Sequence, residues 1–251
     1  MHRFFVSPES ISGDDVAIDG AQAHQIARVL RQRSGDSVIV LDDTGAEFQV
    51  VLSEVSSDLV QGRVIERRTG AAEPAVKITL YQALLKTDRF EFVLQKGTEL
   101  GVSTFVPLLT DRVVARAPSG KRAAARTARW RRIVTEAAEQ SRRSRIPAIG
   151  EPVTLRTACE NAMPVALMPW EEETVPRGIR TVLVQARKKG WDGSELAIFI
   201  GPEGGFTVEE AELARSLGVQ TLSLGPRILR SETAAVATVA AICYELGELG
   251  A

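Results

Sequence analysis

Two stretches near the carboxyl end, LAIFIGPEGGFTVEEAE at 196–212 and TLSLGPRILRSETAA at 221–235, decide the fold. Each begins with an apolar run typical of a buried strand, continues through Gly-Pro and ends in a segment with helical character. Buried strands that alternate with helices are typical of a mostly parallel sheet covered on both faces. The sequence therefore predicts an α/β fold for this part of the chain.

The same alternation extends back to Val76. Predicted helices include TDRFEFVLQKGTELG at 87–101, with Asp88 as its cap, and TVEEAELARSLG at 207–218, with Thr207 and Glu210 as a capping box. The predicted strands are 76–85, 104–109, 164–168, 196–200 and 220–224. Ligands on such sheets bind beyond the carboxyl ends of the strands, so the chemistry is expected there.

The first seventy residues show a different pattern. Runs rich in β-branched residues at 38–41, 47–55 and 59–68 are separated by turn residues, which predicts a small antiparallel sheet or barrel. A helix is predicted within AQAHQIARVLRQRSG at 21–35, where Gly35 lies past its end. Gly70 and Pro74 punctuate a linker, and we expect two domains, 1–72 and 73–251.

Composition narrows the class of protein. Hydrophobic residues make up 44% of the 251, enough for a substantial core. No apolar run approaches the roughly 20 residues that span a bilayer, and no signal peptide is evident, so we expect a soluble cytoplasmic protein without membrane contact. The two cysteines, Cys159 and Cys243, lack metal-ligand spacing, and we expect neither a disulfide nor a metal.

Positive charge is concentrated in one segment. Residues 112–145 contain eleven Lys and Arg against two acids, a net +9 in a chain whose net charge is −1. Such asymmetry predicts a polyanion-binding surface, with a solvated arginine-rich helix as the alternative. Within this helix, Trp130 falls on the apolar stripe and is predicted to belong to the core rather than to stack on a base.

Three predicted strands end in loops that could form one pocket. These are the ends at Met168-Pro169-Trp170, at Gly201–Gly205 and at Gly225-Pro226. Neither G-x-G-x-x-G nor a P-loop is present, which argues against a nucleotide-dependent oxidoreductase, and Glu203 would repel a phosphate. The loops permit a ligand without phosphates, such as S-adenosylmethionine, although ordinary turns would explain any one of them.

Five motifs, in chain order, resemble a known family. HQIARVLR at 24–31, KTDRFEFVLQKGTELGV at 86–102, RWRRIVTEAAEQSRR at 129–143, FIGPEGGF at 199–206 and LGPRILRSETAA at 224–235 are similar to the ribosomal RNA small subunit methyltransferase E family. Members belong to the SPOUT class and methylate N3 of a uridine in 16S rRNA. The likeness covers essentially the whole chain.

The resemblance implies a trefoil-knotted α/β methyltransferase domain of the SPOUT type, preceded by a small PUA-like β-barrel domain that helps to hold RNA. It implies a homodimer through the knotted domain, acting on 16S rRNA of the small ribosomal subunit with S-adenosyl-L-methionine as cofactor. The expected cofactor-binding residues are Leu167, Met168, Ile200, Gly201, Pro202, Glu203, Gly204, Gly205, Leu222, Leu224, Gly225, Arg227, Ile228 and Leu229.

Catalysis and RNA binding are expected from charged residues. Uridine N3 must lose a proton, which leaves negative charge on the base. An arginine would stabilise this charge, and Arg230 is the first candidate and Arg227 the second. Glu232 or Glu203 would accept the proton or orient the arginine. A first-turn acid such as Glu232 is also favoured by the helix dipole alone. The expected RNA-binding residues are Arg28, Arg31, Arg33, Arg112, Arg129, Arg132, Arg142 and Arg143. The alternative is a non-catalytic ribosome-assembly protein with a vestigial pocket.

Overall fold

The structure, a computed structural model, describes residues 1–70, 72–113, 120–175 and 177–250. Its contacts divide the chain into two units. Unit 1 contains Met1–Glu73 and Ala138–Ile146, and unit 2 contains Pro74–Ala137 and Pro147–Ala251. Residues 138–146 therefore return to the amino-terminal unit, while the division into domains 1–72 and 73–251 stays a prediction.

Unit 1 contains a six-stranded sheet in the order β1-β4-β5-β6-β3-β2. Its pairs are antiparallel except β1 with β4. The strands are β1 (Arg3–Phe5), β2 (Ile11–Ser12), β3 (Asp15–Asp19), β4 (Ser37–Leu41), β5 (Ala46–Val55) and β6 (Leu59–Thr69). The strand pairs of the described residues do not join β1 to β2, so closure into a barrel stays a prediction.

The alternation of side chains gives this sheet two buried faces. Phe4, Val38 and Val40 belong to the main core of unit 1. Phe5 and Ile39 point to the other face, where Ala138 and Ile146 of the returning segment cover them. The returning segment also satisfies a strand edge, because the Phe5 amide donates to Glu139 Oε1 at 3.0 Å.

The helix predicted to run to Gly35 is shorter. It consists of α1 (Gly20–His24) and a π-helical segment, Gln25–Val29. The amide of Leu30 donates to Gln25 O, and Arg31 takes the left-handed φ of +54°, which ends the helix. Gly35 therefore belongs to the turn that leads into β4, and its role as the helix stop was wrong.

Unit 2 contains a sheet of seven parallel strands. Six follow the order β10-β8-β7-β12-β11-β13, and β9 pairs with β8. The strands are β7 (Lys77–Ala83), β8 (Val102–Leu109), β9 (Ala148–Ile149), β10 (Val153–Thr154), β11 (Ala166–Pro169), β12 (Glu195–Ile200) and β13 (Gln220–Leu222). The predicted parallel α/β sheet is thus confirmed.

Helices connect these strands. They are α2 (Thr87–Glu99), α3 (Lys121–Gln140), α4 (Leu155–Glu160), α5 (Ile179–Lys188), α6 (Val208–Ser216) and α7 (Ser231–Leu246), and α3 enters unit 1 at Ala138. The Thr207–Glu210 capping box of α6 is confirmed. Asp88 was wrong as the cap of α2, because Lys86 occupies that position and Asp88 lies in the first turn. In the described part of the chain, no helix is long and apolar enough to cross a membrane.

Candidate functional site

The carboxyl ends of β11, β12 and β13 lie side by side because β11 pairs with both of the others. The loops that follow are joined through Trp170, directly after β11. Its amide donates to Leu222 O at 3.0 Å, and its indole Nε1 donates to Phe206 O at 3.2 Å. One buried residue, Trp170, therefore connects the end of β13 to the segment that follows the loop after β12.

A cavity of about 70 Å³, the strand-end cavity, lies between the loops after β11 and β13. Its lining residues are Pro169, Trp170, Glu171, Ser223, Leu224, Gly225, Arg227, Ile228, Leu229 and Ala234. Gly225 has a φ of +107°, and nothing occupies the space within 4 Å of the position of a Cβ. Ile228 is 86% exposed, so this wall presents a large apolar side chain to a ligand.

The structure separates nine of the fourteen expected cofactor residues into two groups, and the other five form the loop Gly201–Gly205. Leu224, Gly225, Arg227, Ile228 and Leu229 line the strand-end cavity. The side chains of four others are buried in the core and leave only backbone for a ligand, namely Leu167, Met168, Ile200 and Leu222. Sequence reasoning did not single out the Glu171 and Ser223 lining residues, whose only signal is their place beside a strand end.

The loop Gly201–Gly205 is held by polar contacts to its main chain. The Ser231 hydroxyl donates to Gly201 O, and Arg112 donates to Gly204 O at 2.8 Å. Gly205 has a φ of +68°, and the Glu171 carboxylate occupies the position that a Cβ would take. Pro202 is buried at the start of this turn. A side chain at Gly205 would therefore displace a residue that lines the strand-end cavity.

Arg215 supports the cavity wall from behind. Its guanidinium lies 5.1 Å from the Trp170 ring centre and donates to Thr221 Oγ1 at 2.8 Å and Glu173 Oε2 at 2.9 Å. Burial raises the pKa of Glu173, but the hydrogen bonds from Thr221, the Val175 amide and Arg215, with the charge of Arg215, outweigh it and lower the pKa to about 2. Glu173 is thus ionised at neutral pH and fixes Arg215.

Arg89 joins two of the predicted carboxylates. Its Nη1 donates to Glu203 Oε1 at 3.3 Å, and its Nε lies 3.9 Å from Glu232 Oε1. Glu232 Oε2 is buried and has no hydrogen-bond partner among the described residues. Sequence reasoning did not select Arg89, although it lies in the first turn of α2 within the KTDRFEF motif.

A second polar connection links β7 to the start of α7. Gln82, which is fully buried, donates through Nε2 to Ser231 Oγ at 3.0 Å, and Ser231 in turn donates to Gly201 O. Gln82 Oε1 has no partner within the described residues. Together with Glu232 Oε2, this gives two buried acceptors at the same helix start.

Arg230 and Arg227 are exposed, and no described residue forms an ion pair or hydrogen bond with either guanidinium group. Arg230 occupies the N-cap position of α7 without capping it through its side chain. Both cations are therefore available to a ligand or substrate beside the strand-end cavity.

The expected RNA-binding arginines have different environments. Arg28, Arg31 and Arg33 are exposed in unit 1, and Arg142 is exposed there too. Arg143 is 3% exposed and pairs with Glu73 at 2.9 Å, so its assignment to an RNA-binding surface was wrong.

In unit 2, the expected RNA-binding arginines already have partners. Arg129 pairs with Glu91 at 2.6 Å, and Arg132 lies 3.6 Å from Glu136. Arg112 is occupied by the Gly204 carbonyl. Arg116, counted in the basic segment, lies outside the described residues.

Trp130 is part of the core, as predicted. Its side chain is 3% exposed and stacks on Phe90 with ring centres 4.5 Å apart, while Arg126 lies 4.5 Å from its ring centre. The ring is thus covered on both sides and cannot stack on a base. The basic character of α3 is carried by the arginines on its other faces.

Comparison with known proteins matches both parts of the chain. Residues 72–243 match the family model for an RNA methyltransferase domain, and residues 18–65 match that for an RNA methyltransferase PUA domain. Two relatives are named ribosomal RNA small subunit methyltransferase E. The Bacillus subtilis protein is 33% identical, over 98% of this chain and 97% of its own length. The Synechocystis protein is 35% identical, over 96% of this chain and 77% of its own length.

A solved structure shares the fold. The crystal structure of a ribosomal RNA small subunit methyltransferase E from Neisseria gonorrhoeae, bound to S-adenosyl methionine, superposes with a TM-score of 0.82. It is 29% identical and covers 97% of both chains. The likeness therefore includes the sheet, its strand ends and the amino-terminal unit.

Proposed function

Because the chain belongs to the ribosomal RNA small subunit methyltransferase E family, we propose that it methylates N3 of a uridine in 16S rRNA with S-adenosyl-L-methionine as the methyl donor. One observation carries the proposal. The strand-end cavity meets a helix start where Arg230 is free among the described residues and Glu232 has a buried, unpartnered oxygen. A methyl-donor pocket and a proton-handling group are the two parts that this reaction requires.

Residues that line the strand-end cavity offer surfaces that suit parts of the methyl donor. Leu224, Ile228 and Leu229 offer apolar surface to an adenine ring, and Gly225 leaves its main chain open to a ligand. No phosphate-binding loop is needed, because the donor carries none. When bound, S-adenosylmethionine supplies a methyl group on a positively charged sulfur, a leaving group that is already activated.

Arg230 and Glu232 divide the remaining work. Removing the N3 proton leaves negative charge on the uracil oxygens, which the exposed guanidinium of Arg230 stabilises. Glu232, in the first turn of α7 beside Arg230, is the residue that accepts the proton. Arg89 is a positioning residue, because its contacts to Glu203 and Glu232 hold the first turn of α7 against the loop Gly201–Gly205.

The finer features follow from the family. We propose that the loops after β11, β12 and β13 form the trefoil knot and that two copies associate through this knotted domain. Unit 1 is proposed to hold the RNA, and the protein acts in the cytoplasm, where ribosomal subunits assemble. The match of residues 18–65 to a PUA domain of RNA methyltransferases supports the role of unit 1.

The test is methylation of small subunits that lack the modification. We expect labelled methyl groups to enter 16S rRNA and mass spectrometry to find 3-methyluridine. Label on a ribose 2′-hydroxyl, or none at all, would contradict the proposal. Calorimetry with S-adenosylmethionine distinguishes the methyltransferase from the alternative. A non-catalytic assembly protein with a vestigial pocket would not bind S-adenosylmethionine.

A further inference from the structure

A second cavity lies on the face of the unit 1 sheet that the returning segment covers. Its volume is about 490 Å³, and its lining includes Arg3, Ile39, Glu47, Arg68 and Arg142. The strand register explains this set, because Arg3 of β1 pairs with Ile39 of β4 and Glu47 of β5 pairs with Arg68 of β6. This arginine-lined cavity belongs entirely to unit 1.

The wall of this cavity has more cations than anions. Glu47, with a side chain 7% exposed, accepts from Arg3 Nη2 at 2.5 Å, from Arg3 Nη1 at 3.3 Å and from Arg68 Nε at 3.3 Å. Arg142 has no acidic partner among the described residues. Two guanidinium groups thus share one carboxylate and the third has none, so the lining carries three positive charges against one negative charge.

One of these cations has an unused donor in the interior. The Arg3 side chain is only 10% exposed, and its Nε has no hydrogen-bond partner in the described part of the chain. Most buried donors in native proteins have a hydrogen-bond partner, so this one is an exception. Arg3 is therefore a fixed, largely buried part of the wall rather than a mobile surface side chain.

The backbone holds Arg142 at the edge of the cavity in a conformation that favours glycine. Its φ is +64°, in the left-handed region that residues with a Cβ rarely adopt. The next residues fix this turn, because Arg143 pairs with Glu73 and the amides of Ser144 and Arg145 donate to the same carboxylate. The turn buries Arg143 and leaves Arg142 exposed.

We propose that the arginine-lined cavity binds a phosphodiester group of the RNA substrate, with Arg142 and Arg68 as the contacting residues. The inference rests on the proposed function for its ligand. Guanidinium groups match phosphate oxygens in geometry and charge, and phosphate contacts make up half or more of the hydrogen bonds to nucleic acid. The volume lies within the range of about 300–1,000 Å³ typical of ligand sites.

Substitution of Arg142 tests the proposal with little effect on the turn. Arg142→Asn removes the charge, and asparagine tolerates a positive φ. We expect the Kd for a 16S rRNA fragment to rise about tenfold and the slope of log K against log salt to fall by about 1. Arg68→Gln is the second variant and is expected to act in the same direction.

The matched control is Arg63→Gln, an exposed arginine of β6 outside the cavity lining. Equal losses in Arg63→Gln and Arg142→Asn, or wild-type affinity and salt slope in both cavity variants, would overturn the proposal. Binding of inorganic phosphate is a further measurement. It is monitored through the NMR chemical shifts of the arginine Nε–H groups. Phosphate binding that is lost in the variants while RNA affinity stays normal would identify a free-anion site and also overturn it.

Failure of the proposed function remains distinguishable. RNA affinity and its salt dependence are measured without the methyl donor, so they report on the cavity even if no methyl transfer occurs. Conversely, Arg142→Asn is expected to retain wild-type S-adenosylmethionine affinity, because Arg142 does not line the strand-end cavity.

Discussion

Around Arg89 in unit 2 one guanidinium group contacts two carboxylates, whereas around Glu47 in unit 1 one carboxylate contacts two guanidinium groups. The buried polar atoms without a hydrogen-bond partner also differ between the two clusters. Unit 2 retains a buried acceptor on Glu232, and unit 1 retains a buried donor on Arg3. We propose that the cluster around Arg89 and Glu232 in unit 2 handles the proton of the reaction, whereas the arginines around Glu47 in unit 1 anchor a phosphate.

The largest effect is expected from Arg230→Ala, which removes the free cation from the unit 2 site. The rate constant at saturating substrate should fall about 100- to 1,000-fold, because charge on the uracil is no longer stabilised. The Kd for S-adenosylmethionine, measured by calorimetry, should stay within about twofold. A near-normal rate would show that Arg230 is not the stabilising group.

Arg89→Ala should have the next largest effect. Loss of its contacts frees Glu203 and Glu232, and a misplaced acceptor is expected to lower the single-turnover rate about 10- to 100-fold. Arg89→Lys should recover part of the rate, since lysine keeps the positive charge but lacks the several N–H donors of the guanidinium group. The pH–rate profile should shift in Arg89→Ala. A purely structural role would instead lower the melting temperature and leave that profile unchanged.

Gly205→Ala probes the cavity wall with a smaller effect. The positive φ and the nearby Glu171 carboxylate should together weaken S-adenosylmethionine binding about tenfold, or about 1.4 kcal/mol. Gly218→Ala is the matched control, because its φ is +89° but no atom lies within 4 Å of the new Cβ. Equal changes in affinity for the two variants would mean that backbone strain alone acts, not contact with Glu171.

The smallest effect concerns the support of Trp170 by Arg215 and Glu173. Because the folded pKa of Glu173 is lowered to about 2, its ionised form stabilises the fold above pH 4.5, and this contribution is lost as the pH falls toward 2. Glu173→Gln should therefore lower the melting temperature by a few degrees at pH 6 and by less at pH 3. The control is Glu172→Gln at an exposed position. If the difference in melting temperature between wild type and Glu173→Gln grew as the pH fell, the stabilising role of ionised Glu173 would be refuted.

Much of the fold could be predicted because it depends on local patterns. Buried parallel strands are recognisable in the sequence as apolar runs such as 196–200, and the capping box of α6 is a four-residue motif. The return of Ala138–Ile146 to unit 1 could not be predicted, because long-range contacts such as that of Ala138 with Phe5 have no local signature. Arg31 ended a helix whose periodicity continued beyond it.

The candidate site was predictable where it follows the strand ends and unpredictable where it depends on partners. Gly225 and Ile228 lie where a β13 loop must lie, and they line the cavity. Arg89 is distant in sequence from both carboxylates that it contacts, and only the folded α2 brings it there. Arg143 was misassigned because charge alone does not reveal that Glu73 buries it.

The most direct test compares Arg89→Ala with Arg142→Asn in two measurements, the single-turnover methylation rate at saturating RNA and the salt-dependent Kd for RNA. The division of roles predicts that Arg89→Ala loses rate with normal RNA affinity, and that Arg142→Asn loses RNA affinity with a normal rate. If both variants lost rate and affinity together in the same proportion, the division between the two units would be contradicted.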